Sequence, residues 1–227
     1  MKIATPSRTT RVTLLGLLIA SIVGWGCAIP FTVATRSDPT VREKYRPAAE
    51  KNDAIAQLQL ALAYRFGTAG ASRDPAQAWQ WLNRASNNGL LEAQLMLGDA
   101  LVSGSWGQPP DIDAGLQVLR TAAQGGGRDV QEHLAMTLRD LPGDDHAAEA
   151  AQWFEKAARA GNQHAAMQLG RLYEQGLGVK QDRTLAYAWF MVGNDAIDAG
   201  RLEPELSKDE LNRAQQKFSQ LRQEIAP

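Results

Sequence analysis

Along the middle of the chain, small and apolar positions recur at steps of three and four, the spacing of one buried stripe on a helix. The clearest block holds Ala165, Leu169, Gly170 and Tyr173, then the turn Gly176-Leu177-Gly178, then Ala186, Trp189 and Phe190. It reads as two short helices flanking a glycine turn. The first-helix pattern returns upstream as Ala56-Leu60-Ala61-Tyr64-Gly67, as Ala93-Leu97-Gly98-Leu101-Gly104, and more faintly as Val130-Leu134-Ala135-Leu138. Its leading small residue therefore falls at 56, 93, 130 and 165, and the second helices keep step at Trp81-Leu82, Val118-Leu119, Trp153-Phe154 and Trp189-Phe190. A helix pair repeating every 35 to 37 residues predicts an all-α fold, a solenoid of stacked pairs.

Four helix-turn-helix units follow, at about 52–89, 90–126, 127–161 and 162–200. Asp74-Pro75 marks the start of a second helix, an N-cap aspartate followed by proline at the first helical position, and Asp111 and Asp182 hold the equivalent place. In the third unit His146 takes that slot behind Asp144 and Asp145, which are expected to supply the N-cap groups. Leu141-Pro142-Gly143 replaces the glycine turn there, and two helices are still expected. Ala61, Gly98, Ala135 and Gly170 are predicted where the helices of a pair cross, and Trp81, Trp153 and Trp189 between successive pairs.

The ends differ from this middle. Val12 to Ala34 is 23 residues without a charge, preceded by Lys2, Arg8 and Arg11. A helix of about 20 apolar residues can cross a bilayer, and basic residues before it leave the repeats outside the cytoplasm. Three readings of residues 1–35 stand in this order: an uncleaved signal anchor, a lipoprotein signal lipidated at Cys27, and cleaved export, for instance after Ala34. Gly26 suits a lipid-attachment site, whereas Gly24 and Trp25 do not, and Pro30 disfavours helix near the outer end. Residues 36–51 read as a linker and a partial repeat that shields the first full one. At 201–227, Ser207 with Glu210 forms a capping box and Leu206 with Leu211 a hydrophobic staple; Leu211, Ala214, Phe218, Leu221 and Ile225 then make one apolar stripe. This predicts a C-terminal capping helix lying on the fourth repeat.

With these pieces in place, the chain resembles the Sel1-like repeat proteins, relatives of the tetratricopeptide repeats. The matching text is Ala165-x3-Leu169-Gly170-x2-Tyr173-x2-Gly176-x-Gly178-Val179, then Asp182-x3-Ala186-x2-Trp189-Phe190, with Lys156-Ala157-Ala158-x2-Gly161-Asn162 between repeats. The likeness covers roughly residues 48 to 200. It implies a right-handed superhelix of about four repeats that works as a binding scaffold and needs no cofactor. The cysteine-rich secreted branch of the family staples each pair with a disulfide; with Cys27 as its only cysteine, this chain departs from it.

Charge and chemistry narrow the picture further. Beyond the first 35 residues the chain carries 21 basic and 25 acidic side chains, a mild acidity that argues against nucleic acid as a partner. His133, His146 and His164 show no metal-ligand spacing and read as ordinary helix or cap residues. Gly125-Gly126-Gly127 and Gly176-Leu177-Gly178 read as turns rather than phosphate cradles, and no nucleophile is set beside a base. No catalytic, cofactor or metal residue is assigned. The candidate protein-binding strip lies along the first helices, taken as the concave face, on positions turned from the buried stripe: Leu58, Leu62, Arg65, Leu95, Asp99, Met136, Arg139, Met167, Arg171 and Glu174. The competing reading packs Leu58, Leu95 and Met167 between neighbouring pairs. The leading function is a non-enzymatic scaffold for a protein or peptide partner, anchored at the outer face of a membrane, in a bacterial periplasm. The alternatives are a lipid-anchored structural subunit of a secretion or polysaccharide-export assembly, and an enzyme acting on cell-wall material.

Overall fold

Asp53, Asp74, Asp111, Asn162, Asp182 and Asp195 each accept the amide of the residue three positions on, and each opens a helix. The computed structural model describes residues 40–68 and 71–225, with side chains from residue 44 onward. Among them are eleven α-helices and no strand. The four repeats are the pairs α2 (Ala54–Phe66) with α3 (Pro75–Asn87), α4 (Leu91–Ser103) with α5 (Ile112–Gly125), α6 (Arg128–Asp140) with α7 (Asp144–Arg159), and α8 (Gln163–Gln175) with α9 (Arg183–Val192). Helix α1 (Thr40–Ala49) packs on α2 as the second helix of a partial repeat. The Val12–Ala34 segment and Cys27 lie outside the described residues.

The crossing residues have the expected role. A β-carbon on Gly98 would meet the Leu119 side chain at 2.5 Å, and one on Gly170 would meet the Phe190 ring at 2.7 Å. Ala61 and Ala135 are fully buried at the corresponding crossings. In the first, second and fourth repeats a glycine in left-handed conformation (Gly67, Gly104, Gly176) ends the first helix. The backbone of the next cap then reaches back to it, as in Asp74 N–H to Tyr64 O at 2.8 Å and Asp182 N–H to Tyr173 O at 2.9 Å.

The third repeat departs from the expected cap. Helix α7 begins at Asp144, its N-cap is Gly143, and no side chain caps it. Asp144 and Asp145 lie in the first turn, where their charge favours the positive helix end, and His146 Nδ1 donates to Pro142 O at 2.7 Å. The short turn lets α7 start earlier, so it is the longest helix of the four repeats.

Three apolar clusters fill the interior among the described residues. One joins α1 to α4 around Leu58, Leu60, Leu82 and Trp81; the second joins α5 to α9 and α11 around Leu119, Leu134, Phe154, Leu169 and Trp189; a smaller third lies around Phe190, Leu202 and Ala214. Trp81 and Trp189 are buried, but Trp153 is only partly so, and Phe154 beside it is the fully buried aromatic. A short helix absent from the expectations, α10 (Ala196–Leu202), packs on α9 beside α11 (Lys208–Glu224). The Ser207–Glu210 capping box is formed, and Ala214 and Leu221 of the α11 stripe are fully buried.

Candidate functional site

The first helices α4, α6 and α8, with α10 in the next place, are tied edge to edge by side-chain pairs. Asp99 of α4 meets His133 Nε2 of α6 at 2.8 Å. Glu132 of α6 accepts from Asn162 Nδ2 at 2.6 Å and also meets His164 Nδ1 of α8. Arg139 donates to Gln168 Oε1 at 2.8 Å, and Gln168 Nε2 lies 3.0 Å from His164 Nε2. Arg171 pairs with Asp198 at 3.3 Å, and Arg201 of α10 donates to Glu174 at 2.7 Å. Both signs of charge therefore run along one face, and the rungs join each of these helices to the next.

This geometry sorts the candidate strip. Asp99, Arg139, Arg171 and Glu174 are half-buried members of the rungs. Leu95 and Met136 pack against the second core cluster, and Met167 sits against Gly193 at the end of α9. Leu58 and Leu62 are a correction, since at 1% and 8% exposure they are core residues and turn nothing outward. Helix α1 packs on α2 and shares its core cluster, so the position that leaves Arg171 half-exposed in the fourth repeat buries leucine in the first. Arg65 stacks on Trp106 of the next repeat, 4.2 Å from the ring centroid. Burial, then the charge of Arg73, lowers its pKa from the ordinary guanidinium value.

Sequence reasoning missed the partners in these rungs. His133 and His164 are more than helix residues, because each joins its repeat to the one before it. Burial works against a charged His133, but the hydrogen bond and charge of Asp99, with Glu132, outweigh it and the pKa is raised. The signal available was register: Asp99 and His133 lie 34 apart and Glu132 and His164 32 apart, each close to one repeat.

The second helices carry their own tie. Arg120 of α5 makes a two-pronged pair with Glu149 of α7, at 2.8 and 2.7 Å. Glu149 also accepts from Trp153 Nε1 at 3.2 Å. The Arg120 hydrogen bond holds the Glu149 carboxyl below its ordinary pKa and, reciprocally, raises that of Arg120. An open hollow lined by Arg120, Gln124, Glu149, Gln152, Trp153 and Lys156 lies over this pair. Among the described residues, no group of three or more His, Cys, Asp or Glu is placed to hold a metal ion. Nor is any described helix long and apolar enough to cross a membrane.

Residues 54–90, 91–127, 139–162 and 163–190 match the Sel1 repeat. The chain belongs to the Sel1 repeat family. Two solved structures share the fold of this Sel1 repeat protein. A protective antigen of uropathogenic Escherichia coli displaying an SLR fold is 28% identical, with a TM-score of 0.57, over 82% of this chain and 41% of that one. A Sel1 repeat protein from Oxalobacter formigenes is 30% identical, with a TM-score of 0.54, over 76% and 50%. Among curated proteins, chitin synthase regulatory factor 4 of Schizosaccharomyces pombe is 28% identical over 138 residues, and regulatory factor 3 is 26% identical over 149. These matches cover 61% and 66% of this Sel1 repeat protein but only 21% and 12% of the two regulatory factors. Sel1 repeats are protein-interaction scaffolds, and nothing in the fold or its relatives shows enzymatic activity.

Proposed function

We propose that this Sel1 repeat protein is a non-enzymatic scaffold held at the outer face of a membrane by its N-terminal segment, where it recruits another protein. The observation that carries the binding half is the run of rungs from Asp99 to Arg201, which gives α4, α6, α8 and α10 one face of alternating charge. Side chains so held are preorganised, and an extended partner segment carrying both signs of charge is the complement. The regulatory role named for the two yeast relatives is a role played on another protein, and it supports the same reading.

The membrane half rests on the sequence. The uncharged run Val12–Ala34 behind Lys2, Arg8 and Arg11 suits a signal anchor that leaves the repeats outside the cytoplasm, in a bacterial periplasm.

Two measurements test this. Co-purification of the full chain from detergent-solubilised membranes is expected to yield one stoichiometric protein partner. The double change Arg171→Glu and Glu174→Ala is expected to lose that partner while helicity is kept. No partner in stoichiometric amount, or one indifferent to this face, overturns the recruiting role. The mass of the N-terminal peptide tests the anchor. An intact Met1–Arg36 segment supports it, a diacylglyceryl adduct on Cys27 replaces it by a lipid anchor, and cleavage after Ala34 overturns membrane attachment.

A further inference from the structure

The passage from one repeat to the next is built the same way at four of five places, and the exception is informative. After α1, α3, α7 and α9 a residue takes the left-handed conformation: Asn52 (φ 66), Gly89 (φ 80), Gly161 (φ 85) and Asn194 (φ 59). The following amide then reaches five residues back, as in Asp53 to Ala48 O, Leu90 to Ala85 O, Asn162 to Ala157 O and Asp195 to Phe190 O, at 2.8 to 3.2 Å. This closed turn fixes the angle at which the next helix leaves.

The passage from α5 to α6 has none of this. Gly126 stands in register with Gly89, yet it is extended (φ −88, ψ 164), and Gly127 is extended too (φ −74, ψ −178). No backbone bond five residues long closes the turn, and Gly127 offers α6 no side-chain cap. Cross-ties between successive turns skip one step. Asn88 donates to Asn52 O at 3.5 Å, and Arg128 donates to Ala160 O and Gly161 O, each at 3.2 Å. Among the described residues no hydrogen bond links the turn at 88–90 to the turn at 125–127.

We infer that the boundary between the second and third repeats is a joint at Gly125-Gly126-Gly127, latched by Asp99–His133 on one face and by Arg120–Glu149 on the other. Glycines in extended conformation rotate with little steric resistance, so the backbone there sets the angle weakly. The two latches sit on opposite helices of the pair, one between α4 and α6 and one between α5 and α7, so bending toward either face strains one of them. The scaffold then adjusts its curvature at one place, while the flanking repeats move as rigid blocks.

Distances between spin labels test this on the full chain with Cys27→Ser, in detergent. One pair, Gln80→Cys and Gln152→Cys, spans the boundary from α3 to α7. A control pair, Gln152→Cys and Gln216→Cys, spans α7 to α11; all three positions are exposed. The distance distribution across the boundary is expected to be at least about twice as wide as the control. Equal widths would overturn the joint. Adding Asp99→Ala with Glu149→Gln is expected to widen the first distribution and leave the control alone. No widening would overturn the latches, with circular dichroism confirming that the helices persist.

Discussion

Asp99 Oδ1 and His133 Nε2 lie 2.8 Å apart and join the first helix of the second repeat to that of the third. The raised pKa of His133 fixes how this pair responds to pH. The folded chain holds the proton more tightly than the unfolded chain, so stability falls as pH rises. The contribution is complete below the ordinary histidine value of 6.5 and is lost as pH passes through the raised folded value. Urea titrations of the protein and of His133→Gln are therefore expected to differ most near pH ~6 and to draw together as pH rises through the raised folded value. A difference that grows with pH would contradict the assignment.

The glycines give a graded series. Gly178 is left-handed (φ 67), and a β-carbon there would lie 2.2 Å from the Ala147 carbonyl at the start of α7. Neither the strain nor the backbone contact can be relieved by a rotamer. At Gly170 the obstacle is the Phe190 ring at 2.7 Å and at Gly98 the Leu119 branch carbon at 2.5 Å, both side chains fully buried. Substitution by alanine in a helix interior normally gains about 1 kcal/mol from propensity. Here Gly178→Ala is expected to cost most, and Gly170→Ala and Gly98→Ala to cost about 1–3 kcal/mol each from overpacking. Chemical denaturation of the three variants orders them.

Position 153 separates sequence pattern from burial. Trp81 and Trp189 stand in its register and are buried, yet Trp153 is half-buried and stacked under Lys156, 4.7 Å from the ring centroid. Phe154→Ala, at a fully buried site, is expected to lose about 3–5 kcal/mol. Trp153→Ala is expected to lose clearly less, which thermal unfolding of the pair would show.

These cases mark where sequence pattern stops being informative. Repeat number, pair order, the aspartate caps, the crossing glycines and the C-terminal helix all follow from local chemistry, which travels with the residues that carry it. The rungs do not, because Asp99 with His133 and Glu132 with His164 become neighbours only through stacking. Nor does the burial of Leu58 and Leu62, since it depends on α1 folding over the first repeat. Helix α10 follows Asp195, a cap like the others, but its seven residues are too short for a periodic stripe to stand out.

On the opposite face, Arg120 and Glu149 offer the converse of the histidine experiment. Glu149 has a lowered pKa, chiefly through the two-pronged Arg120 contact, so the folded chain holds its carboxyl proton less tightly than the unfolded chain. Its contribution is present above the ordinary carboxyl value of 4.5 and is lost as pH falls through the folded value. Both side chains keep contact with solvent, 39% and 26% exposed, which limits the pair to about 1 kcal/mol or less near neutrality. Glu149→Gln keeps the size of the side chain and an acceptor for Trp153, so what it removes is the charge. A double-mutant cycle with Arg120→Gln is expected to give that coupling at pH ~7 and to lose it as pH falls through the lowered folded value. Raising the salt concentration should shrink it too, because a pair this open is screened. A coupling that persists in acid would mean that packing of the Arg120 stem, rather than its charge, ties the second repeat to the third.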